Sequence, residues 1–329
     1  MNPVAPCRVL AISDGAAGNE NQAVALAQAL GVEPVVLRLS ARAPWRWIAP
    51  RRLPGVARAF GAEFAHWLKA EAGDVPSLAI GCGRQAALAT RLLRESGDGA
   101  WASVQILDPR IALSHYDLVI APRHDGLAGD NLITTLGGLN RIDDAWLEQA
   151  RAAFPALGAL PAPRHAVLLG GPTRALRLDQ GYWRELEKTL RVRLERDGGS
   201  LMLTSSRRTP DWLRAAAREA FAGVPGIQWH GAGDGANPYA GMLGWADVLV
   251  VTPDSVNILS EAAATRAELL TFAPQPVRGK VGRFVAELER SGRLRFMHEK
   301  GPLPPVEPLR ESARVAALVA QRLGWMQAE

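Results

Sequence analysis

Residues 248–261, VLVVTPDSVNILSE, bring together the residue types that a phosphate and a ribose would need. Residues 248–251 are apolar and too few for anything but a short buried strand, which Pro253 ends by withdrawing its amide. Asp254 or Ser255 then caps a helix. Its first-turn amides and its dipole offer a diphosphate several donors at once. Glu261 lies about two turns on, placed to accept hydrogen bonds from a ribose diol. The plainer alternative is an ordinary β-turn-α unit with a capped helix and a solvated Glu261.

Two more turns in the second half follow apolar runs and suit the same ligand. Gly170 and Gly171 permit close backbone approach, and Thr173 adds a hydroxyl. In residues 204–210, TSSRRTP, Arg207 and Arg208 can neutralise phosphate bidentately. All three turns are expected at one edge of a sheet. No D-x-D pair occurs in the chain, so a metal-bridged diphosphate has no obvious ligands, and arginine with helix dipoles would supply the charge.

The first half has its own glycine turn at residues 13–22, SDGAAGNENQ. Asp14 stands where an open α/β domain presents ligand-facing groups, and it is the leading candidate for a base. Gly15 and Gly18 admit a substrate, and Asn19, Asn21 and Gln22 add uncharged hydrogen-bonding groups. A carboxylate titrating near about 4 is a weak base unless burial raises it; the alternative is that Asp14 only holds its own backbone. Residues 81–86, GCGRQA, fit G-x-G-x-x-A, with Asp108 as a later ribose-binding acid. That dinucleotide reading is weakened by a long spacing to Asp108 and by its place on the third strand rather than the first.

Alternating strands and helices must position these turns. Strands are expected at 8–13, 34–39, 77–80, 102–107, 117–121 and 131–135, with helices at 21–30, 56–70 and 85–94. The pattern restarts with strands at 165–169, 201–204, 226–229, 248–251 and 268–272, and helices at 179–196, 210–221, from 237, after 254 and at 279–291. Such alternation predicts parallel sheets covered by helices on both faces. With 329 residues, two domains are the default. The expected division is a first α/β domain 1–154, a proline- and alanine-rich linker 155–164, a second α/β domain 165–307 carrying the candidate nucleotide-sugar turns and a C-terminal helix 308–329. The fold expectation is two doubly wound, Rossmann-like α/β domains with a cleft between them.

A hydrophobic content of 48% suits filled cores, and the net charge of +5 comes almost wholly from arginine, since only Lys69, Lys188, Lys280 and Lys300 are lysine. Arg42, Trp45, Arg46, Trp47, Arg51 and Arg52, broken by prolines, form the densest basic-aromatic segment. It suits an anionic membrane surface, or else a surface loop with its tryptophans tucked in. No helix-turn-helix, zinc or ribonucleoprotein signature accompanies the charge, so nucleic acid is disfavoured. Neither a leader pattern nor a run of about 20 apolar residues appears, which gives a cytoplasmic expectation, peripheral to the inner membrane. Cys7 and Cys82 form no disulfide framework or metal spacing.

Several of these motifs together resemble the mitochondrial fission ELM family. They are the 13–22 turn, VQILDPR at 104–110, APRHD at 121–125, GGPT at 170–173, TSSRRTP, NPYAGMLGWAD at 237–247 and TPDSVNILSEAAAT at 252–265. The resemblance implies a GT-B-like fold and a glycosyltransferase using a nucleoside-diphosphate sugar, with no cofactor. It places Gly170, Gly171, Thr173, Ser205, Arg207, Asp254, Ser255 and Asn257 around the diphosphate and Glu261 at the ribose. On the acceptor side it places Asp14 as base, with His124 as runner-up, and Gly15, Gly18, Asn19, Gln22, Asp108, Arg110 and Asp125 around the pocket. Where some GT-B enzymes carry a histidine in the first glycine turn, this chain has none. Plant relatives are associated with mitochondrial fission through recruitment of division machinery, which implies a non-catalytic adaptor as the alternative; an NAD-binding epimerase-like protein is the third.

Overall fold

A computed structural model describes residues 8–69, 77–96, 99–299 and 307–325. The strands, in chain order, are β1 (Arg8–Ser13), β2 (Val35–Arg38), β3 (Ser77–Cys82), β4 (Trp101–Ile106), β5 (Leu118–Pro122), β6 (Leu132–Thr135), β7 (Arg164–Leu169), β8 (Ser200–Ser205), β9 (Gly226–Trp229), β10 (Val248–Val251), β11 (Glu268–Thr271) and β12 (Arg295–Phe296). Helices are α1 (Ala17–Ala29), α2 (Trp45–Ile48), α3 (Gly61–Leu68), α4 (Arg84–Glu95), α5 (Asp144–Ala153), α6 (Pro155–Gly158), α7 (Gln180–Asp197), α8 (Asp211–Ala220), α9 (Tyr239–Trp245), α10 (Val256–Ala263), α11 (Gly279–Arg290) and α12 (Ser312–Arg322). Two compact units result. One ends at Arg141 and resumes at Arg310; the other runs Ile142–Leu309.

The first unit holds a parallel sheet in the order β2-β1-β3-β4-β5-β6. Its central strands are buried on both faces, so they read as continuous apolar runs. Val9 and Ala11 of β1 join one core with Leu26 of α1 and Val315 and Val319 of α12. Leu10 and Ile12, one residue out of phase, join the other with Phe64 of α3 and Leu88 of α4. Because strand order reverses between β1 and β3, their carboxyl ends form the switch-point crevice of this unit.

The second unit repeats the plan in the order β12-β11-β10-β7-β8-β9, again parallel. Here the chain winds outward from β7 through β8 to β9, then returns to lay β10 on the other side. The switch point therefore falls between β7 and β10, whose residues 165–168 and 248–251 are in register. The architecture is the pair of doubly wound units expected of a GT-B-like chain.

Several boundaries differ from expectation for physical reasons. α1 starts at Ala17 rather than at residue 21, because its cap Ala16 makes no side-chain hydrogen bond and so leaves no signal in the sequence. The helix expected over 56–70 is a single 3-10 turn, Val56–Arg58, followed by α3; Gly61, the first residue of α3, has φ 83°. Ala70 and Cys7 lie outside the described residues. The second unit begins at Ile142, and residues 155–164 are part of it. There Trp245 donates its indole N–H to the carbonyls of Arg151 and Phe154, and its ring leaves no room for a Cβ on Gly158. The final helix belongs to the first unit: Glu311 accepts from the amides of Leu136 and Gly137 at 2.7 and 2.9 Å, which anchors α12 beside β6.

In the basic-aromatic segment the two tryptophans part company. Trp45 packs against the α3–α4 core, whereas Trp47 is 70% exposed. Trp45 is thus a core anchor, and Trp47 alone of the two is a surface ring.

Candidate functional site

In the second unit the β7–α7 turn and the β10–α10 turn meet on a buried carboxylate. Asp254, 6% exposed, accepts from Thr252 Oγ1 at 2.7 Å through Oδ1 and from Arg208 Nη2 at 2.7 Å through Oδ2. The Gly171 amide reaches the same Oδ2 at 3.4 Å, and the Gly170 amide donates to Thr252 Oγ1 at 2.8 Å. A Cβ on Gly170 would stand 1.8 Å from Asp254 Oδ1, and one on Gly171 would stand 2.3 Å from the Arg208 carbonyl oxygen. Both glycines are there because three turns close on one another. Burial raises the Asp254 pKa, against the Thr252 hydrogen bond and the Arg208 charge.

This arrangement redistributes the expected roles. Asp254 ties the turns together, and Ser255 is the helix cap, with Ile258 N 3.5 Å from its Oγ. Asn257 falls in the first turn of α10. Thr173 folds its own turn, accepting from the amides of Ala175 and Leu176. Arg208, although exposed, is committed to Asp254, and the adjacent Arg207 is exposed beside it at the β8 end. Ser205 Oγ lies 2.7 Å from Nδ1 of His230, whose Nε2 is 3.2 Å from Gln228 Oε1. Since the Gln228 Nε2 donates to the Arg218 carbonyl, its Oε1 is the atom facing His230, and the neutral ring carries its proton on Nε2. The Ser205 hydroxyl then donates to Nδ1. Burial, followed by the Arg218 charge, lowers the His230 pKa.

Glu261 stands two turns into α10, and Tyr239 Oη donates to its Oε2. Burial and then the Glu261 charge hold the Tyr239 hydroxyl well above its ordinary pKa, so it stays a donor. Tyr239, Thr252 and Thr209 escaped the sequence reading. Thr209 staples the β8 turn to β7, with its Oγ1 3.0 Å from the Leu169 oxygen and 2.6 Å from the Gly170 oxygen. Each of the three sits in a motif already noted, Tyr239 in NPYAGMLGWAD, Thr252 in TPDSVNILSEAAAT and Thr209 in TSSRRTP, but what each one touches was not legible there.

In the first unit, the expected acceptor-side residues are strung along the carboxyl edge. Asp14 is exposed and accepts through Oδ1 from the Ala16 amide at 3.2 Å and from Asn19 Nδ2 at 3.1 Å. It braces its own turn, beside Gly15 at φ 82°. Asn19 also fills the space where Gly83 would carry a Cβ, 2.6 Å away, and accepts from the Cys82 thiol at 3.7 Å. Gln22 donates to the Gly18 carbonyl. Asp108 accepts from the Arg110 amide at 2.7 Å in a turn where Leu107 and Arg110 have φ of 69° and 60°. His124 and Asp125 follow β5, with Nε2 3.8 Å from Oδ1 and both side chains 3% exposed. β1 and β5 are three strand spacings apart, roughly 15 Å, so Asp14 and His124 do not share one position.

The G-x-G-x-x-A glycines have internal uses: a Cβ on Gly81 would meet Thr90 Oγ1 at 2.0 Å, and Gly83 is taken by Asn19. Among the described residues no three His, Cys, Asp or Glu side chains are grouped to hold a metal ion, and no helix is long and apolar enough to cross a membrane.

Comparison with known proteins agrees with the fold. The UDP-GlcNAc 2-epimerase of Methanocaldococcus jannaschii is similar with a TM-score of 0.55 at 12% identity, over 95% of this chain and 99% of that one. A MnaA–UDP co-structure from S. aureus (TM-score 0.48, 12% identity, 96% and 87% covered) and Acinetobacter baumannii MurG (0.43, 13%, 97% and 92%) are similar at lower scores. Mitochondrial fission protein ELM1 of Arabidopsis thaliana is 29% identical over 285 residues, covering 77% of this chain and 66% of the plant protein, so the chain spans just under two thirds of that relative. The family model described as Mitochondrial fission ELM1 matches residues 17–323, and the chain belongs to that family.

Proposed function

We propose that the second unit binds a nucleoside-diphosphate sugar at the carboxyl edge between β7 and β10, and that the protein is a GT-B-type glycosyltransferase working without a metal. The observation that carries this reading is the buried Asp254 joining three turns at the switch point, which fixes their backbone before any ligand arrives. Such a preset crevice suits an anion. The α10 amides, the Ser255 and Thr173 hydroxyls and the Arg207 guanidinium would meet the diphosphate, with Glu261, steadied by Tyr239, at the ribose. Ser205 takes part only by giving up the hydrogen bond that its hydroxyl donates to His230 Nδ1. On the first unit Asp14 would serve as base for the acceptor hydroxyl, with Asn19 beside it and Asp108, Arg110, His124 and Asp125 further along the same edge.

A specific observation favours a second reading. Asp14 is already engaged in holding its turn, and the plant relative is named for mitochondrial fission rather than for an enzyme activity. A non-catalytic adaptor would keep the folded turns and lose the ligand.

Calorimetric titration with UDP, GDP, ADP and CMP separates the two. The transferase reading expects one nucleoside diphosphate to bind, and Arg207→Ala to weaken it by about 1.5 to 3 kcal/mol, roughly ten- to a hundredfold, with the nucleoside alone unchanged. Equal losses for diphosphate and nucleoside would remove Arg207 from that role. Absence of binding by all four would favour the adaptor.

A further inference from the structure

Residues 34–62 contain no Asp or Glu, and six arginines fall among them. Two are neutralised, Arg38 by Glu20 and Arg52 by Glu95. The other four, Arg42, Arg46, Arg51 and Arg58, are exposed and take part in no ion pair among the described residues. The same stretch concentrates apolar exposure. Of the six large hydrophobic side chains exposed among the described residues, Val35, Val36, Trp47 and Leu53 lie within it. Scattered exposed apolar residues are ordinary, but four in 19 positions, interleaved with unneutralised arginines, are not.

The segment is also held in place. Arg84, at the start of α4, donates to the carbonyls of Arg46 at 2.9 Å, Trp47 at 3.2 Å and Ala49 at 3.0 Å, satisfying the open end of α2. Trp45 is the inward anchor, its ring 3.7 Å from where Gly55 would carry a Cβ. Trp47 consequently projects from a fixed support, and holding it outward costs little further ordering.

We propose that this face of the first unit docks on an anionic lipid bilayer, with Trp47 entering the headgroup region, Leu53 beside it, and Arg46, Arg51 and Arg58 meeting lipid phosphate. Indole favours the membrane–water boundary, and guanidinium matches phosphate bidentately. The charge pattern selects the partner: a segment with four cations in no ion pair among the described residues and no carboxylate of its own complements a negative plane. The inference does not depend on the nucleotide reading, which concerns the other unit.

Co-sedimentation of the full chain with phosphatidylglycerol–phosphatidylcholine vesicles, and with phosphatidylcholine alone, tests it. Binding is expected only to the anionic vesicles and to fall steeply between about 0.05 and 0.5 M salt. Each arginine near the surface is worth about fivefold, so Arg46→Glu with Arg51→Glu should lower partitioning more than tenfold. Trp47→Ser should also remove most of the binding while leaving the thermal melt unchanged. Trp212→Ser, an exposed tryptophan of the other unit, is the control expected to bind as wild type. Equal binding to neutral vesicles, no binding to either, or full binding by the Trp47 and arginine variants would overturn the proposal. So would a wild-type dimer in sedimentation velocity that Trp47→Ser dissociates, because the face would then join two copies of the chain.

Discussion

Gly170→Ala is expected to destabilise the second unit by about 3 kcal/mol or more, a large effect for the addition of one methyl group. The added Cβ would lie 1.8 Å from Asp254 Oδ1 and 2.3 Å from its Cγ. Asp254 has no easy retreat, since Thr252 and Arg208 hold its two oxygens and the side chain is buried. Denaturant melts would read the loss directly. Combining the change with Asp254→Ser should recover part of it, because the shorter side chain vacates the contested space, giving a coupling of at least about 1 kcal/mol. Loss within about 0.5 kcal/mol for Gly170→Ala would mean that the two turns do not close as described.

Asp254→Ala is expected to cost about 2 to 3 kcal/mol. Removal leaves the Thr252 hydroxyl and the Gly171 amide without this acceptor and opens a small cavity. The Arg208 pair adds under about 1 kcal/mol, because that guanidinium side chain is 53% exposed and solvent screens it. Charge and shape separate in Asp254→Asn. Asp254 has a folded-state pKa above its ordinary 3.8, so the folded protein binds the proton more tightly than the unfolded chain. Its contribution is then greatest below 3.8 and is lost as pH rises through the raised folded value. Melts from about pH 4 upward should show the wild type losing stability relative to Asp254→Asn. Parallel curves for the two proteins would show that the carboxyl is not desolvated.

Much of this fold could be read from residue pattern. Strands such as 248–251 announce themselves as apolar runs ended by a proline or glycine turn, and their alternation with helices leaves few topologies besides parallel sheets. Ser255 was one of two cap candidates, and the structure chooses it because Asp254 faces inward. What stayed hidden depends on partners distant in sequence. Nothing in the adjacent pair Arg207-Arg208 tells which one turns to Asp254, 46 residues on. Tyr239 meets Glu261 across 22 residues, and Asn19 meets the Gly83 turn through the packing of two parallel strands. The unit boundary was hidden differently: a proline- and alanine-rich composition reads as a linker, whereas Trp245 draws residues 151–158 into the second unit. The course of α12 was likewise invisible, because an amphipathic helix shows that it buries a face but not against which neighbour.

The claim at the centre is that α10 is half of a nucleotide site rather than a plain capped helix, and Glu261 tests it most directly. Binding of UDP and of its 2′,3′-dideoxy form should be titrated against the wild type and Glu261→Gln, with the best-binding base replacing uracil if another is preferred. Glutamine keeps the size, removes the charge and exchanges one acceptor for a donor, so a ribose diol held by the carboxylate loses charge-assisted bonds. Wild type is predicted to favour the ribo form by roughly ten- to a hundredfold, and the variant to discriminate far less. A coupling between protein and ligand changes indistinguishable from zero, in a wild type that binds the nucleotide well, would contradict the assignment and leave Glu261 as a helix residue that steadies Tyr239.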